Sequence, residues 1–270
     1  MSAAPAPPPP PTSSSGTSAA AEAAAAEPAP PGRTQFWLRR LHSASGVLPL
    51  GGFLIEHLWT NASALWGQRR FDSAVARIEA LPGLLAIEVL GIFLPLAFHA
   101  GYGLWLTRRS SANVGHYPYP RNWGYLLQRV SGLVLLAFVL FHLWELRVQK
   151  WLFGMDSRSF YPVLAAGLSS TRWGIPWRAV FYLAGLLAAC AHFGNGLFGF
   201  ACTWGRAGSR RAQKRFFAAC CALGAGTFLL GALTVVHFAT GPFWPHDPAA
   251  RLGDPGARCT ELPRGAPGSP

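Results

Sequence analysis

The sequence predicts an all-α fold, an integral membrane bundle of five transmembrane helices. Of its 270 residues, 51% are hydrophobic and only 13% are charged, which is too apolar for an ordinary soluble domain. The apolar residues are gathered into blocks, each close to the ~20 residues that a helix needs to cross about 30 Å of hydrocarbon. Five blocks satisfy this length, at roughly residues 44–66, 84–106, 124–148, 177–201 and 216–239.

The two ends of the chain differ from these blocks. Residues 1–34 are almost wholly Ala, Pro, Ser and Gly, and they contain no basic segment followed by an apolar core. They predict a disordered tail and not a signal peptide. Residues 241–270 are again rich in Pro and Gly and predict a flexible tail. One folded membrane domain is therefore expected over residues 35–240.

The net charge of +12 is carried by basic residues that lie between the apolar blocks. Because these residues do not line one soluble face, they favour contact with a membrane interface over nucleic-acid binding. They are densest before the first block, between the second and third blocks, and between the fourth and fifth. Cytoplasmic segments of membrane proteins carry such an excess, so we expect a cytoplasmic N-terminus.

Four histidines lie inside the apolar blocks, in two pairs of similar sequence contexts. The chain reads IEHLW around His57 and LFHLW around His142, whereas it reads FHAGYGLW around His99 and AHFGNGLF around His192. A two-helix unit with one histidine per helix is therefore used twice. Each histidine lies past the middle of its helix, and successive helices alternate in direction. The outer histidines (His57 and His142) then share one level, and the inner histidines (His99 and His192) share another, roughly 10 to 15 Å away.

Paired histidines at two depths predict two haem groups, each bound by one histidine from each copy of the repeat. Bis-histidine ligation fills both axial positions of the iron, which suits electron transfer. A single histidine in an apolar helix is more often a packing residue or part of an ion path, but four in a repeated context favour haem. Three other histidines have no partner in the repeat and are expected to have structural or solvent-facing roles: His42, His116 and His237.

Glycines recur on the helix faces that carry these histidines. Gly46 and Gly132 precede the outer histidines by about three turns, which returns to the ligand face at the level of the inner haem. Gly103 and Gly196 follow the inner histidines by about one turn, on the same face. A glycine leaves room where a porphyrin meets the backbone, so all four are candidate haem-packing residues. Glycine also serves plain helix packing in membranes, and that alternative stays open.

Four longer segments resemble the five-helix, two-haem cytochrome b subunits that anchor succinate dehydrogenase or fumarate reductase in many bacteria. They read FWLRRLHSASGVLPLGGFLIEHLWTN, EVLGIFLPLAFHAGYG, GHYPYPRNWGYLLQRVSGLVLLAFVLFHLWELR and HFGNGLFGFACTWG. The resemblance extends from about Phe36 to His237 and includes all four paired histidines. It implies a multi-pass protein of the bacterial cytoplasmic membrane that takes part in electron transport.

The resemblance also implies ligands and partners. His57 and His142 would bind the distal haem b, and His99 and His192 the proximal haem b. The cytoplasmic face would dock an iron–sulfur subunit and a flavoprotein subunit. This chain contains neither the Gly-rich loop nor the cysteine clusters that those centres require. We therefore expect the succinate chemistry to take place in a partner subunit.

In such a complex, electrons from succinate would pass through the proximal and distal haems to a quinone, expected to be menaquinone, which takes up protons near the outer face. Three carboxylates lie near the outer histidines, namely Glu56, Glu88 and Glu145. A carboxylate in a membrane helix is costly and usually functional. The three are therefore candidate catalytic residues for quinone protonation. The alternative is that Glu145 or Glu56 pairs with a neighbouring arginine.

The direction of catalysis and the class of function retain alternatives. Some members of the family that work with fumarate carry a glutamate two residues before the fourth-helix ligand, and Cys190 stands at that position here. This departure favours succinate oxidation. Two other functions stay open, the dihaem cytochrome b subunit of a formate dehydrogenase or hydrogenase, and a haem-free membrane transporter or assembly protein. A reduced-minus-oxidised spectrum and the copurifying subunits distinguish them.

Overall fold

The computed structural model describes residues 32–111 and 114–241. The chain divides into two compact units, residues 1–39 and 40–270. The described residues of the first unit are mainly helical, and the second unit contains both histidine pairs. The predicted tails at residues 1–34 and 241–270 lie almost wholly outside the described ranges, so their disorder stays a prediction.

Helices make up the regular structure of the described residues, which confirms the all-α prediction. Two π-helical segments, Val89–Phe93 and Leu143–Val148, continue the helices that precede them. The ten α-helices described are α1 Arg33–Val47, α2 Pro49–Ala62, α3 Gln68–Glu79, α4 Leu84–Glu88, α5 Leu94–Arg108, α6 Pro120–His142, α7 Gln149–Phe153, α8 Phe160–Ser169, α9 Trp177–Thr203 and α10 Arg210–Thr240.

Four helical stretches of the described chain are long and apolar enough to cross a membrane, and they match the second to fifth predicted blocks. Large apolar side chains on them face outward, as Leu90 and Leu140 do with 65% and 61% of their surface exposed. Such surfaces suit contact with lipid. The stretches are Leu84–Arg108, Pro120–Phe153, Trp177–Thr203 and Arg210–Thr240.

The predicted count of five spanning helices is not confirmed, because the first block is divided between α1 and α2. The division falls at Pro49, which has no backbone N–H to donate to the preceding turn. The separate helices contain 15 and 14 residues, fewer than a membrane span requires. Hydrogen bonds nevertheless continue through the break: the amide of Leu48 donates to Ala44 O at 2.9 Å, and that of Gly52 to Leu48 O at 3.1 Å.

Small residues bring α9 and α10 close together. A Cβ added to Gly194 would lie 3.1 Å from the carbonyl oxygen of Cys220, and one added to Gly224 would lie 3.2 Å from that of Cys190. Close backbone approach through small residues is a usual way to pack membrane helices. The two cysteines are buried free thiols at this contact, and α9 is thereby held with its histidine facing the rest of the bundle.

At the level of the outer histidines, α3 and α8 pack across the ends of the longer helices. Phe71 of α3 and Leu168 of α8 are buried in one cluster with Tyr182 and Phe238. Because α3 and α8 lie outside the spanning stretches, burial removes the apolar surface of Phe71 and Leu168 from water and contributes about 1.5–3 kcal/mol for each. The cluster therefore closes the bundle beside the outer histidine pair.

Polar contacts of Glu79 also connect the helices at this end of the bundle. The carboxylate of Glu79, at the end of α3, pairs with Lys150 and accepts a hydrogen bond from Ser157 Oγ at 2.7 Å. Burial opposes ionisation of this carboxyl, but the hydrogen bonds and the charge of Lys150 outweigh it and hold the pKa of Glu79 below its ordinary value of 4.5. Glu79 is therefore ionised at neutral pH and joins α3 to α7.

Candidate functional site

The four paired histidines come together as two neighbouring pairs of rings. The outer rings of His57 and His142 have centroids 5.7 Å apart and an interplanar angle of 80°. The inner rings of His99 and His192 are 6.1 Å apart at 86°. Each pair joins equivalent helices of the two copies. The side chains that could bind the same iron thus lie next to one another, while their role as ligands stays a prediction.

Both inner histidines make the same contacts through Nδ1. In the first copy, Nδ1 lies 3.0 Å from the carbonyl oxygen of His42 and 3.4 Å from Ser45 Oγ. In the second copy, it lies 3.0 Å from the carbonyl oxygen of Gln128 and 3.3 Å from Ser131 Oγ. A proton on Nδ1 donates to the carbonyl oxygen. The lone pair on Nε2 is then directed away as a metal ligand.

Gly46 and Gly132 directly follow these serines and face the inner rings. A Cβ added to Gly46 would lie 2.3 Å from Cε1 of His99, and one added to Gly132 would lie 2.9 Å from Cε1 of His192. Both distances are below 3.0 Å, which real Cβ atoms essentially never show. The imidazoles therefore fit against their neighbouring helices only because these two positions have no side chain.

Gly103 and Gly196 face a second layer of side chains. The nearest atom to a Cβ at Gly103 would be Nε2 of His42 at 3.1 Å, and at Gly196 it would be Nε2 of Gln128 at 3.2 Å. The ring of His42 stacks on the inner ring of its copy with centroids 4.2 Å apart. Gln128 thus stands where His42 stands in the other copy. No histidine matches His42 in the repeat, as expected, but a glutamine does.

The amide of Gln128 indicates the protonation of His192. Its Nε2 lies 3.2 Å from His192 Nε2, and its Oε1 accepts a hydrogen bond from Asn195 Nδ2 at 2.7 Å. With its oxygen occupied by Asn195, the amide donates N–H toward the imidazole. His192 Nε2 therefore carries a lone pair, as a metal ligand requires.

The sequence interpretation overlooked the polar residues around the inner pair. The signal is present in the chain, which reads LHSASG over residues 41–46 and LQRVSG over residues 127–132. Within these segments, the sequence prediction covers the two glycines and a structural or solvent-facing role for His42, but not the serines or Gln128. The serine and the residue four positions before the glycine contact the inner histidines in both copies. A repeat search that includes polar positions finds them.

The outer histidine His142 is held by side chains instead. Its Nδ1 lies 3.3 Å from the hydroxyl of Tyr182, and that hydroxyl donates a hydrogen bond to the carboxylate of Glu145. The other oxygen of Glu145 pairs with Arg178 at 2.8 Å. A continuous chain of polar contacts therefore leads from the imidazole to a charged pair. Tyr182 was not among the predicted site residues.

The surroundings of His57 are different again. The amide Nδ2 of Asn61, one turn later, lies 3.4 Å from His57 Nε2 and donates to the His57 carbonyl oxygen at 2.7 Å. The ring of Phe53, one turn earlier, lies 5.2 Å away. These contacts all come from the same helix. The two outer histidines are therefore not held alike, unlike the inner two.

The three candidate carboxylates have different partners. Glu56 is exposed and accepts a hydrogen bond from Thr60 Oγ1 at 2.6 Å. Glu88 pairs with Arg147, and Glu145 pairs with arginine, as the alternative interpretation allowed. Glu145 and Arg147 lie in the π-helical segment that follows His142, and such segments often occur at functional sites. Among the described residues, no hydrogen bond or ion pair joins two of the three carboxylates.

The donor set fits haem better than a metal bound by protein side chains alone. Within residues 32–111 and 114–241, no three His, Cys, Asp or Glu side chains converge as a metal site. A haem iron needs only axial ligands from the protein, since the macrocycle supplies the others. Two imidazoles from facing helices provide such a pair at each level. At the inner level, oriented Nδ1 atoms and close glycines complete the arrangement.

Comparison with known proteins identifies a matching family and a similar protein. Residues 107–231 match the family model for the succinate dehydrogenase/fumarate reductase transmembrane subunit. The chain is also 42% identical, over 183 residues, to the succinate dehydrogenase cytochrome b558 subunit of Bacillus subtilis (strain 168). That alignment covers 68% of this chain and 87% of the relative.

Proposed function

This chain belongs to the succinate dehydrogenase/fumarate reductase transmembrane subunit family, and from that premise we propose that it is the cytochrome b membrane anchor of a succinate dehydrogenase. The observation that carries the proposal is the pairing of equivalent histidines from the two copies, 5.7 Å and 6.1 Å apart. The match favours neither a formate dehydrogenase or hydrogenase subunit nor a haem-free transporter. The same family is the one that the sequence motifs resemble.

We propose two haem b groups per chain. The outer histidines would hold one group and the inner histidines the other. Bound haem would supply one-electron redox chemistry. The protein contributes orientation, since Ser45, Ser131 and two backbone carbonyls set the Nδ1 protons of the inner imidazoles. Gly46 and Gly132 contribute space for the rings.

The chain is proposed to cross the bacterial cytoplasmic membrane five times, with α1 and α2 acting together as the first span. Support comes from the hydrogen bonds that continue past Pro49 and from the position of His57 in α2, level with His142 in the third span. An odd number of spans with a cytoplasmic N-terminus places the C-terminus outside. The dense basic links then lie on the cytoplasmic side, as the positive-inside rule requires.

Those basic links are the proposed docking surface for an iron–sulfur subunit and a flavoprotein subunit. Arg108, Arg109 and Arg121 lie in one link or at its ends, and five cations lie over residues 206–215 of the other. Short charged links beside a membrane offer polar groups to a soluble partner. Reversing several of these charges should release succinate dehydrogenase activity into the soluble fraction, whereas retention on the membrane would place the docking surface elsewhere.

Quinone reduction is proposed at the outer level, with menaquinone as the substrate. Reduction of a quinone consumes protons, and a site without a titratable group would be slow. Glu56, Glu88 and Glu145 lie near the outer histidines in the chain, whereas no acidic residue occurs within several positions of an inner histidine. We propose these three carboxylates as the proton-delivering groups.

Purification of the tagged chain from its native membrane tests the function. We expect a reduced-minus-oxidised spectrum of b-type haem and copurification of a flavoprotein and an iron–sulfur protein with succinate dehydrogenase activity. Copurification with formate dehydrogenase or hydrogenase subunits would contradict the proposal. So would a haem-to-chain ratio near zero, because it would return the histidines to a packing or transport role.

A further inference from the structure

Tyr182 stands between an outer histidine and a carboxylate. Its side chain is buried, with 7% of its surface exposed, and its ring lies 5.7 Å from that of His142 and 5.3 Å from that of Phe138, both nearly perpendicular. Phe138 in turn occupies the space left by Gly185. These contacts hold the phenol ring in one orientation, so its hydroxyl is directed at the imidazole by packing.

The donor and acceptor in each hydrogen bond between His142, Tyr182 and Glu145 follow from the protons that these groups carry. An ionised carboxylate only accepts, so the hydroxyl of Tyr182 gives its single proton to Glu145. The remaining lone pairs of that hydroxyl accept from Nδ1 of His142, 3.3 Å away. The imidazole therefore carries its proton on Nδ1 and presents the Nε2 lone pair to a metal.

The carboxylate is itself held in place. Arg178 pairs with Glu145 at 2.8 Å, and its guanidinium lies against Gly167, where an added Cβ would come within 2.3 Å of Arg178 Nη1. The backbone of α8 thus positions the arginine, the arginine positions the carboxylate, and the carboxylate sets the direction of the phenol proton. The Glu145 side chain is only 11% exposed, whereas that of Arg178 is 41% exposed, so the pair lies at the edge of the bundle.

On the basis of the proposed haem sites, we propose that Tyr182 is a positioning residue that couples His142 to Glu145 and lowers the reduction potential of the outer haem. An acceptor on Nδ1–H makes an imidazole a stronger donor to iron, and a carboxylate behind the phenol strengthens that acceptor. A stronger donor favours the ferric state. The inner imidazoles donate to neutral backbone carbonyls, so the inner haem lacks this coupling.

Potentiometric titration of the two haems in the purified complex tests the coupling, with Tyr182→Phe as the first variant. We expect the outer haem potential to rise and its low-spin electron paramagnetic resonance signal to move. The inner haem should keep its potential and its signal. Tyr161→Phe is the matched control because Tyr161 OH lies 3.2 Å from Nε2 of His237 at the same end of the bundle, outside the histidine pairs. It should leave both haem potentials unchanged.

Glu145→Gln is the second variant. It keeps an oxygen that can accept from the phenol but removes the charge, so the outer potential should rise again while the haem content stays at its unaltered level. If Tyr182→Phe loses the outer haem, the result with Glu145→Gln decides between coupling and simple packing. An unchanged outer potential in Glu145→Gln, or an equal shift of both haems in Tyr182→Phe, would overturn the inference.

The proposed function and this inference fail in different ways. An unaltered complex that contains no haem refutes the cytochrome function itself. An unaltered complex with two haems whose potentials do not respond to either variant refutes only the role of Tyr182. The distinction is available from the haem content of the unaltered complex, measured before any variant is titrated.

Discussion

The inner and outer histidine pairs come from the same repeat but are held by different chemistry. At the inner level, both imidazoles donate to backbone carbonyls beside a serine and a glycine, in contacts that agree to within 0.1 Å between the two copies. At the outer level, His142 contacts a phenol linked to a charged pair, while His57 contacts an amide of its own helix. The repeat positions ligands, and the residues around them differentiate the two sites.

This difference has a physical consequence. A backbone carbonyl neither gains nor loses a proton and cannot rotate away, so the hydrogen bonds of the inner imidazoles should not change with pH or with the redox state. The phenol and carboxylate side chains at the outer level carry a proton and a charge, so the hydrogen bonds of His142 can change when a proton or an electron arrives. The proposed division of labour, with quinone chemistry at the outer level, follows from that contrast.

The largest expected effect that separates the two levels is steric. Gly46→Val should abolish the inner haem and spare the outer one, because even a Cβ at this position would lie 2.3 Å from the ring of His99. The haem-to-chain ratio should fall by about half, measured by haem extraction. Gly52→Ala is the control, since an added Cβ there meets nothing within 4 Å. If Gly46→Val retains both haems, the helices around His99 can move apart to fit the larger side chain, and the steric prediction is wrong.

A second effect concerns catalysis at the outer level. Glu88→Gln should lower succinate:quinone activity by about tenfold or more, since a lost proton donor slows the transfer, with haem content and succinate oxidation by an artificial acceptor unchanged. The double variant Glu88→Gln with Arg147→Gln removes both members of the ion pair and serves as the control. Recovery of quinone activity in the double variant would show that Glu88 acts only by pairing. Normal turnover in the triple variant of Glu56, Glu88 and Glu145 would remove proton delivery from all three.

A smaller effect is expected from the serines of the inner level. Ser45→Ala or Ser131→Ala removes one of two Nδ1 contacts, and a neutral hydrogen bond contributes about 0.5–1.5 kcal/mol. The inner haem should therefore dissociate about 2- to 10-fold more readily in detergent, with the outer haem unaffected. Ser169→Ala removes a hydroxyl that bonds within α8 and should change neither haem. If both haems dissociate faster by the same factor, the serines do not act on the inner haem alone, and the two levels are not independent.

The smallest effect concerns pH. The pKa of Glu79 is held below 4.5 by Lys150 and Ser157, so its ionised form stabilises the folded state at neutral pH. That contribution is complete above the unfolded pKa and is lost as the pH falls through the lower folded pKa. Partly exposed ion pairs contribute roughly 0.2–1 kcal/mol, so Glu79→Gln should lower thermal stability slightly at pH 7. The difference from the unaltered chain should shrink as the pH falls through the folded-state pKa of Glu79, as measured by thermal unfolding over a series of pH values.

Sequence patterns predicted the parts of this molecule that depend on periodicity. The apolar blocks gave four of the spanning helices, and the contexts of His57 and His142 gave their pairing across about 85 positions of chain. The first predicted span is not a single helix, because Pro49 divides its apolar block between α1 and α2. A proline changes the hydropathy of such a block very little. Hydropathy alone does not register such a break.

The residues around the histidines were harder to predict. Ser45 and Ser131 occur in a recognisable repeat, but serine is common in membrane helices and its hydroxyl usually bonds within its own turn. Tyr182 has no local signal, because its role depends on α9 passing beside α6 at one depth. Side-chain contacts between distant helices follow from packing, which a single sequence does not contain.

The haem content of four single variants tests the central claim most directly. His57→Ala and His142→Ala should each lose the outer haem and keep the inner one, whereas His99→Ala and His192→Ala should each lose the inner haem and keep the outer one, distinguished by reduction potential. Two variants of one pair should give the same residual spectrum. If His57→Ala and His99→Ala instead remove the same haem, or if the unaltered chain binds none, the assignment of two histidine pairs to two haems is wrong.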